Sequence, residues 1–285
     1  MKNIAQSSFV RFFTKFHKIL LASLLYTIPF AVITGLCILI GYLTGFNNII
    51  IWGLGIIPTF PLYAGFVMVV RKYAVEKIDC NVIKVFFDSV KENWKKFLVH
   101  GIVAYAVIAC SFFALLYYGT LAQTDIVYGS VFTLYILFSI LLVVMMFYVP
   151  IMTVTYELRL RDIYKNSFLL IFGKILRNIV AFVPLVVLSV TAFLAILFSE
   201  GALIFVSVAL TAILYPLIAT YLIISIISKG LQDTVGSFTA VPVETISEEE
   251  EKIIEQQAVE HASDNDDYVF VNGKMIKNTA KKTED

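Results

Sequence analysis

The stretch IVYGSVFTLYILFSILLVVMMFYVPIMTV, residues 126–154, contains no Asp, Glu, Lys, Arg or His. A run of about 18 or more apolar residues is long enough to cross a ~30 Å hydrocarbon core as a helix. Backbone N–H and C=O groups in lipid find their partners inside a helical segment, so the stretch predicts a transmembrane helix. Working outward, five more such runs occupy residues 19–43, 49–70, 97–121, 179–199 and 202–228. The whole chain has the same character: 59% of its 285 residues are hydrophobic and 15% charged, with a mean hydropathy of +0.86. In a soluble domain about a quarter of the residues are charged. Segments of about ten residues with alternating hydrophobicity, the mark of a membrane β-barrel, are missing. The expected fold is an all-α membrane protein with six transmembrane helices in three hairpins, cytoplasmic amphipathic helices and a flexible acidic C-terminal tail.

Charge orients the hairpins. Of the 22 Lys and Arg residues, four precede the first span, seven lie between the second and third, five between the fourth and fifth, and six follow the sixth. The connections around Phe46–Asn48, Ala122–Asp125 and Glu200–Gly201 have none. Basic residues favour the cytoplasmic side, so both termini are expected there, in a multi-pass protein of the cell membrane. The first span is too long for a signal-peptide core and is read as retained. Cys37 and Cys110 lie in spans and Cys80 in a connection, which fits small packing residues rather than disulfides or a metal cluster.

Each returning helix carries a related tripeptide: Phe60-Pro61-Leu62, Val149-Pro150-Ile151 and Tyr215-Pro216-Leu217. Pro61, Pro150 and Pro216 are candidate helix kinks, because each ring removes a backbone hydrogen bond and frees a carbonyl for a neighbour. Two long connections read as amphipathic helices. In the first, Ile83, Phe86, Phe87, Val90, Trp94 and Phe97 recur at spacings of three and four among Lys84, Asp88, Lys91, Glu92 and Lys95. This helix is expected to lie along the membrane surface, with Phe86, Phe87, Lys91, Asn93, Trp94 and Lys95 as a candidate cytoplasmic interface. In the second, Leu160, Tyr164, Phe168, Ile171 and Ile175 form the stripe. Phe9, Phe12, Phe13 and Phe16, among Arg11, Lys15 and Lys18, suggest a third.

Composition changes after Lys229. Residues 230–285 hold five Lys against thirteen Asp or Glu, net −8, whereas residues 1–229 carry net +9. The expected organisation is a membrane domain over 1–229 and a largely disordered acidic tail over 230–285. Ser247-Glu248-Glu249-Glu250 has the form of a capping box and predicts a short acidic helix reaching about His261. Tyr268–Val271, Asn272-Gly273 and Lys274–Lys277 predict a hairpin. The tail could also fold back on the basic face as a charge-sensitive latch.

No ionisable residue occupies the centre of a span, which argues against proton relays and charged-substrate paths. His100 lies just inside the third span and reads as an interfacial histidine. No P-loop, Ser/His/Asp arrangement or His-rich metal site is present, so an enzyme is not expected and no cofactor or metal is implied.

Pro58 and Gly65, Val70-Arg71-Lys72, Phe86-Phe87 and Lys91-Glu92-Asn93-Trp94-Lys95-Lys96 are followed by Tyr148-Val149-Pro150 and Lys165-Asn166. In these features the chain resembles the YesL-like family of bacterial multi-pass membrane proteins, a domain of unknown function, over roughly residues 10–230. The resemblance implies an accessory or regulatory part in carbohydrate uptake, with a sugar-transport complex as a partner. The alternative is a small-solute carrier or substrate-binding subunit with the proline-bearing helices lining its path. The expected cytoplasmic face, with seventeen basic residues against six acidic ones, would also attract an anionic inner leaflet. A nucleic-acid partner is not expected.

Overall fold

The computed structural model describes residues 8–235, 268–271 and 274–277. Nine helices occupy the first of these stretches: α1 (Ser8–Thr14), α2 (Phe16–Thr44), α3 (Ile49–Gly53), α4 (Ile56–Arg71), α5 (Val82–Leu121), α6 (Ile126–Thr155), α7 (Leu160–Gly173), α8 (Ile175–Leu197) and α9 (Leu203–Val235). Six stretches are long and apolar enough to cross a membrane: Phe16–Thr44, Ile49–Glu76, Val82–Leu121, Ile126–Thr155, Ile175–Leu197 and Leu203–Leu231. The chain is an all-α multi-pass membrane protein. Beyond the bundle, β1 (Tyr268–Val271) pairs antiparallel with β2 (Lys274–Lys277), Tyr268 opposite Lys277 and Val271 opposite Lys274, in the expected register. The expected acidic helix and the latch lie outside the described residues.

Short polar connections make the distal turns. Asn48 accepts from the amides of Ile50 and Ile51, both at 3.1 Å, and Asp125 accepts from Val127 at 2.9 Å. Each supplies partners for amides that the first helical turn leaves free. The second span is not one helix. It breaks between Gly53 and Ile56, where Gly55 lies so near Thr34 that a Cβ would come 2.7 Å from its hydroxyl. At the other end it closes in a π-helical turn, Lys72–Glu76, and Lys77 takes a left-handed conformation (φ 61°). The Ile78 amide there reaches the Lys72 carbonyl at 3.1 Å.

Burial is concentrated where the first span begins and the second, fourth and sixth end, here called the basic end. The buried residues of α6 run from Val144 to Thr155 and those of α5 from Val82 to Ala104. On α9 they begin at Leu217. The returning helices α4, α6 and α9 pack on one another. Around them, α5 packs on α4, α2 on α4 and α9, and α8 on α9. In the distal half most large apolar side chains face outward, including Ile126, Leu134, Val187, Phe193 and Phe205. Cys110 is exposed there, a correction to its reading as a packing residue, and all three cysteines are free thiols.

Two ion pairs tie the start of α2 to the loop after the π turn: Lys15, its N-cap, and Lys18 reach Asp79 at 2.5 and 3.2 Å. The two ammonium groups hold the Asp79 carboxyl below the usual carboxylate range. A depressed folded value makes this contribution fully present at neutral pH, and it is lost as pH falls below about 4, the ordinary Asp value, toward the lowered one. Asp79 is half exposed, so Asp79→Asn is expected to lower thermal stability only slightly at low salt. In 1 M NaCl, where screening acts within about 3 Å, the difference should disappear. A difference undiminished at high salt would point to a role beyond charge.

Candidate functional site

The three repeated prolines sit on the three returning helices, which pack on one another. Pro61, Pro150 and Pro216 lie inside continuous helices, with no break in α4, α6 or α9 at any of them. Two carbonyls in the turns before Pro61 and Pro216 have close neighbours. Gly101 of α5 lies against the Ile57 carbonyl, four residues before Pro61, so close that a Cβ would stand 3.1 Å from it. The Ser23 hydroxyl donates to the Ile213 carbonyl, three residues before Pro216, at 3.0 Å. Between the helices, Tyr63, Phe147, Pro150, Thr220 and Ile224 border a cavity of ≈ 20 Å³, and the Tyr63 and Thr220 hydroxyls are 3.2 Å apart. That volume holds about one water.

The candidate interface on α5 divides into two faces. No surface-lying helix precedes the third span, contrary to expectation. The amphipathic segment and the span form a single 40-residue helix, ~60 Å long at 1.5 Å per residue. Its buried seam is Val82, Phe86, Ser89, Asn93, Phe97, His100, Gly101 and Ala104. Phe86 and Asn93 are therefore packing residues and not an interface. Phe86 is fully buried over Gly65, where a Cβ would come 2.5 Å from the Phe86 carbonyl. Ser89 donates to the Ala64 carbonyl at 3.2 Å, and Asn93 to the Ser89 carbonyl at 3.2 Å. Small polar residues that satisfy backbone groups set the contact with α4, so apolar periodicity alone gives the wrong phase. Phe87, Lys91, Trp94 and Lys95 are exposed, and the Lys95 ammonium sits 5.6 Å from the Trp94 ring.

Sequence reasoning missed two buried polar junctions. His100 is fully buried and not interfacial. Its Nδ1 lies 2.7 Å from the Tyr164 hydroxyl and its Nε2 2.9 Å from Thr153 Oγ1. Thr153 spends its one proton on the Val149 carbonyl at 2.7 Å, so it accepts from Nε2–H. The neutral ring then accepts at Nδ1 from Tyr164. Burial pushes the Tyr164 hydroxyl up to about 12, which keeps it a donor at neutral pH. This junction clamps α7 to α5 and α6.

The second junction is the corner between α7 and α8. Asn178 Nδ2 donates to the Leu170 and Ile171 carbonyls at 3.2 and 2.8 Å, and Oδ1 accepts from Tyr148 at 2.6 Å. Carbonyls in the last turn of a helix run out of partners along it, and here the Asn178 side chain caps Ile171 and adds a second donor to Leu170, which also accepts from the Lys174 amide at 3.1 Å. The signal was an Asn directly after Arg177 at the start of a span, but its partners lie on two other elements. Beside this corner α7 buries Ile163, Ser167, Leu170 and Ile171 and exposes Phe168, Leu169 and Phe172. Of its expected stripe, Phe168 and Ile175 face outward and Ile171 inward.

Residues 43–115 match the family described as "Protein of unknown function, DUF624". This stretch holds the α4–α5 seam, Gly65 over Phe86, and the exposed α5 face, and it ends before Tyr148, Pro150 and Lys165. No curated protein and no solved structure matches the chain.

Proposed function

We propose that this integral membrane protein is a non-enzymatic accessory or regulator of a transport system that works from its basic end, with carbohydrate uptake as the process. The observation that carries the reading is the distribution of packing. The basic end is cross-braced by the His100 and Asn178 junctions, and the cavity beside Tyr63, Pro150 and Thr220 has room for about one water. A rigid end with an exposed aromatic and basic helix face suits docking. A cavity of that size is too small for a sugar, which speaks against a carrier path at Pro150. The uptake role, and a place in the YesL-like family, rest on the sequence resemblance. No residue pair in the junctions suggests a reaction.

In the proposed orientation the basic end and both termini face the cytoplasm, against an anionic inner leaflet. Single cysteines at Asn48, Asp125 and Glu200 are then labelled from outside intact cells, and one at Lys84 only after permeabilisation. Labelling of the Lys84 position from outside overturns the orientation. The functional test is affinity purification from native membranes under gentle solubilisation. Recovery of sugar-transport components is expected. If none is recovered, and deletion of the gene leaves uptake of every sugar tested unchanged, the reading fails.

A further inference from the structure

The exposed face of α5 has an order that packing inside the protein does not explain. Ile83, Phe87, Val90, Trp94 and Leu98 are spaced i, i+4, i+7, i+11, i+15, and all five are exposed or half-buried. At about 100° per residue they form one stripe parallel to the helix axis, ~22 Å long. Lys84, Lys91 and Lys95 flank it on one side, exposed and without an ion pair among the described residues. Asp88 lies beyond the lysines on the far flank. An apolar stripe with a cationic border on a helix is what a second amphipathic helix packs against.

Lipid does not reach the far end of this stripe, at Ile83 and Phe87. On the exposed side of α5 the charged residues end at Lys96, and Val99, Ile102 and Ile108 follow as exposed apolar residues. The hydrocarbon region therefore begins near Val99. Because α5 continues unbroken through this point, Phe87 lies 12 residues beyond it, ~18 Å along the axis. The headgroup layer is roughly 5–7 Å thick on each side. Even at a tilt of about 40°, the upper end of the usual range, Phe87 clears the boundary by ~14 Å. Phe87 and Ile83 then stand in water as free apolar surface on a rigid rod.

We propose that this face is the docking surface for an acidic amphipathic helix of a partner protein, with apolar residues at i, i+4, i+7 and i+11 packed on Ile83, Phe87 and Trp94 and carboxylates opposite Lys84, Lys91 and Lys95. The inference rests on the accessory reading and specifies the chemistry of its partner. The Phe86, Ser89 and Asn93 seam holds the rod on α4, so the face is preformed.

The test uses the full chain in nanodiscs, with Phe87→Trp as the only tryptophan in a Trp52→Phe, Trp94→Phe background. The probe is an 18-residue helical peptide with Leu at i, i+4, i+7, i+11 and Glu beside them. A peptide of the same composition in scrambled order is the control. Position 87 alone should be quenched by acrylamide and not by brominated lipid. The patterned peptide should shift its emission to the blue and protect it from acrylamide. Binding should weaken at least tenfold between 0.05 and 0.5 M salt, or with Lys84→Gln, Lys91→Gln and Lys95→Gln together. No shift, or an equal shift with the scrambled peptide, overturns the proposal. Quenching by brominated lipid makes the occupant the membrane. Protection from acrylamide before any peptide is added makes it the chain's own tail or a second copy, and either result also overturns the proposal. Recovery of transport components together with no peptide binding would remove this face while leaving the accessory reading intact.

Discussion

Asn178→Leu is expected to destabilise the fold by about 2–4 kcal/mol, since it leaves two buried polar groups without partners at about 1–3 kcal/mol each, less whatever relaxation recovers. The groups are the Ile171 carbonyl and the Tyr148 hydroxyl, while the Leu170 carbonyl keeps the Lys174 amide at 3.1 Å. Leu branches at the same atom as Asn and is larger, so no cavity forms and the loss is one of hydrogen bonding, with any overpacking added to it. The corner between α7 and α8 should open first, because Asn178 is what ties the end of one helix to the start of the next. Denaturant-induced unfolding in micelles gives the total, and protease sensitivity near Lys174 gives the location. A second variant, Tyr148→Phe, removes one donor only and should cost about 1 kcal/mol. Equal losses for the two variants would mean that the Ile171 carbonyl finds another partner and that the corner is held by something else.

Gly65→Leu is expected to prevent α4 and α5 from closing. Even a Cβ at this position would lie 2.5 Å from the Phe86 carbonyl oxygen and 2.8 Å from its ring. Because one obstacle is backbone, a rotamer change does not relieve it. Overpacking of this kind costs typically 1–3 kcal/mol and occasionally more. With a full leucine against a helix backbone, a loss of at least 3 kcal/mol or of folded protein altogether is expected. Gly35→Ala is the control, since nothing lies within 4 Å of its Cβ position. There the helix propensity of Ala should leave stability unchanged or raise it by about 0.5–1 kcal/mol. A well-folded Gly65→Leu protein with the Phe86 ring still buried would refute the close approach of the two helices.

The six spans and their pairing into hairpins were legible because a membrane helix is set by length and hydropathy, both local. The β1–β2 pairing was legible for a similar reason, as Asn272-Gly273 between two β-prone runs is a short-range turn signal. The inward face of α5 was not. Ile83, Phe87 and Trp94 point outward, whereas Ser89 and Asn93 point inward beside Phe86 and Phe97. What decides the phase is the close approach of Ser89 to Ala64 and of Phe86 to Gly65, 25 and 21 residues apart in sequence. Nor was the continuity of α5 legible, because its charged and apolar halves look like two elements and no Gly-Pro signal was needed to join them. His100 illustrates the third limit. A lone histidine near a boundary has no local mark of burial, and its partners Thr153 and Tyr164 lie more than 50 residues downstream.

The contrast between a tightly packed basic end and an outward-facing distal half has a consequence for how this sequence can vary. Around Tyr148, Phe86 and Leu217 each side chain is matched to particular neighbours, so shape, volume and hydrogen-bonding capacity are all constrained. At Leu134, Val187 or Phe205 the neighbour is a disordered acyl chain that adapts to whatever apolar surface it meets. One half of the molecule is written in a vocabulary of specific residues, and the other only in a category. Neutral drift should therefore accumulate along the distal ends of α2, α6, α8 and α9, and a library of random apolar replacements should be accepted there and rejected at the basic end.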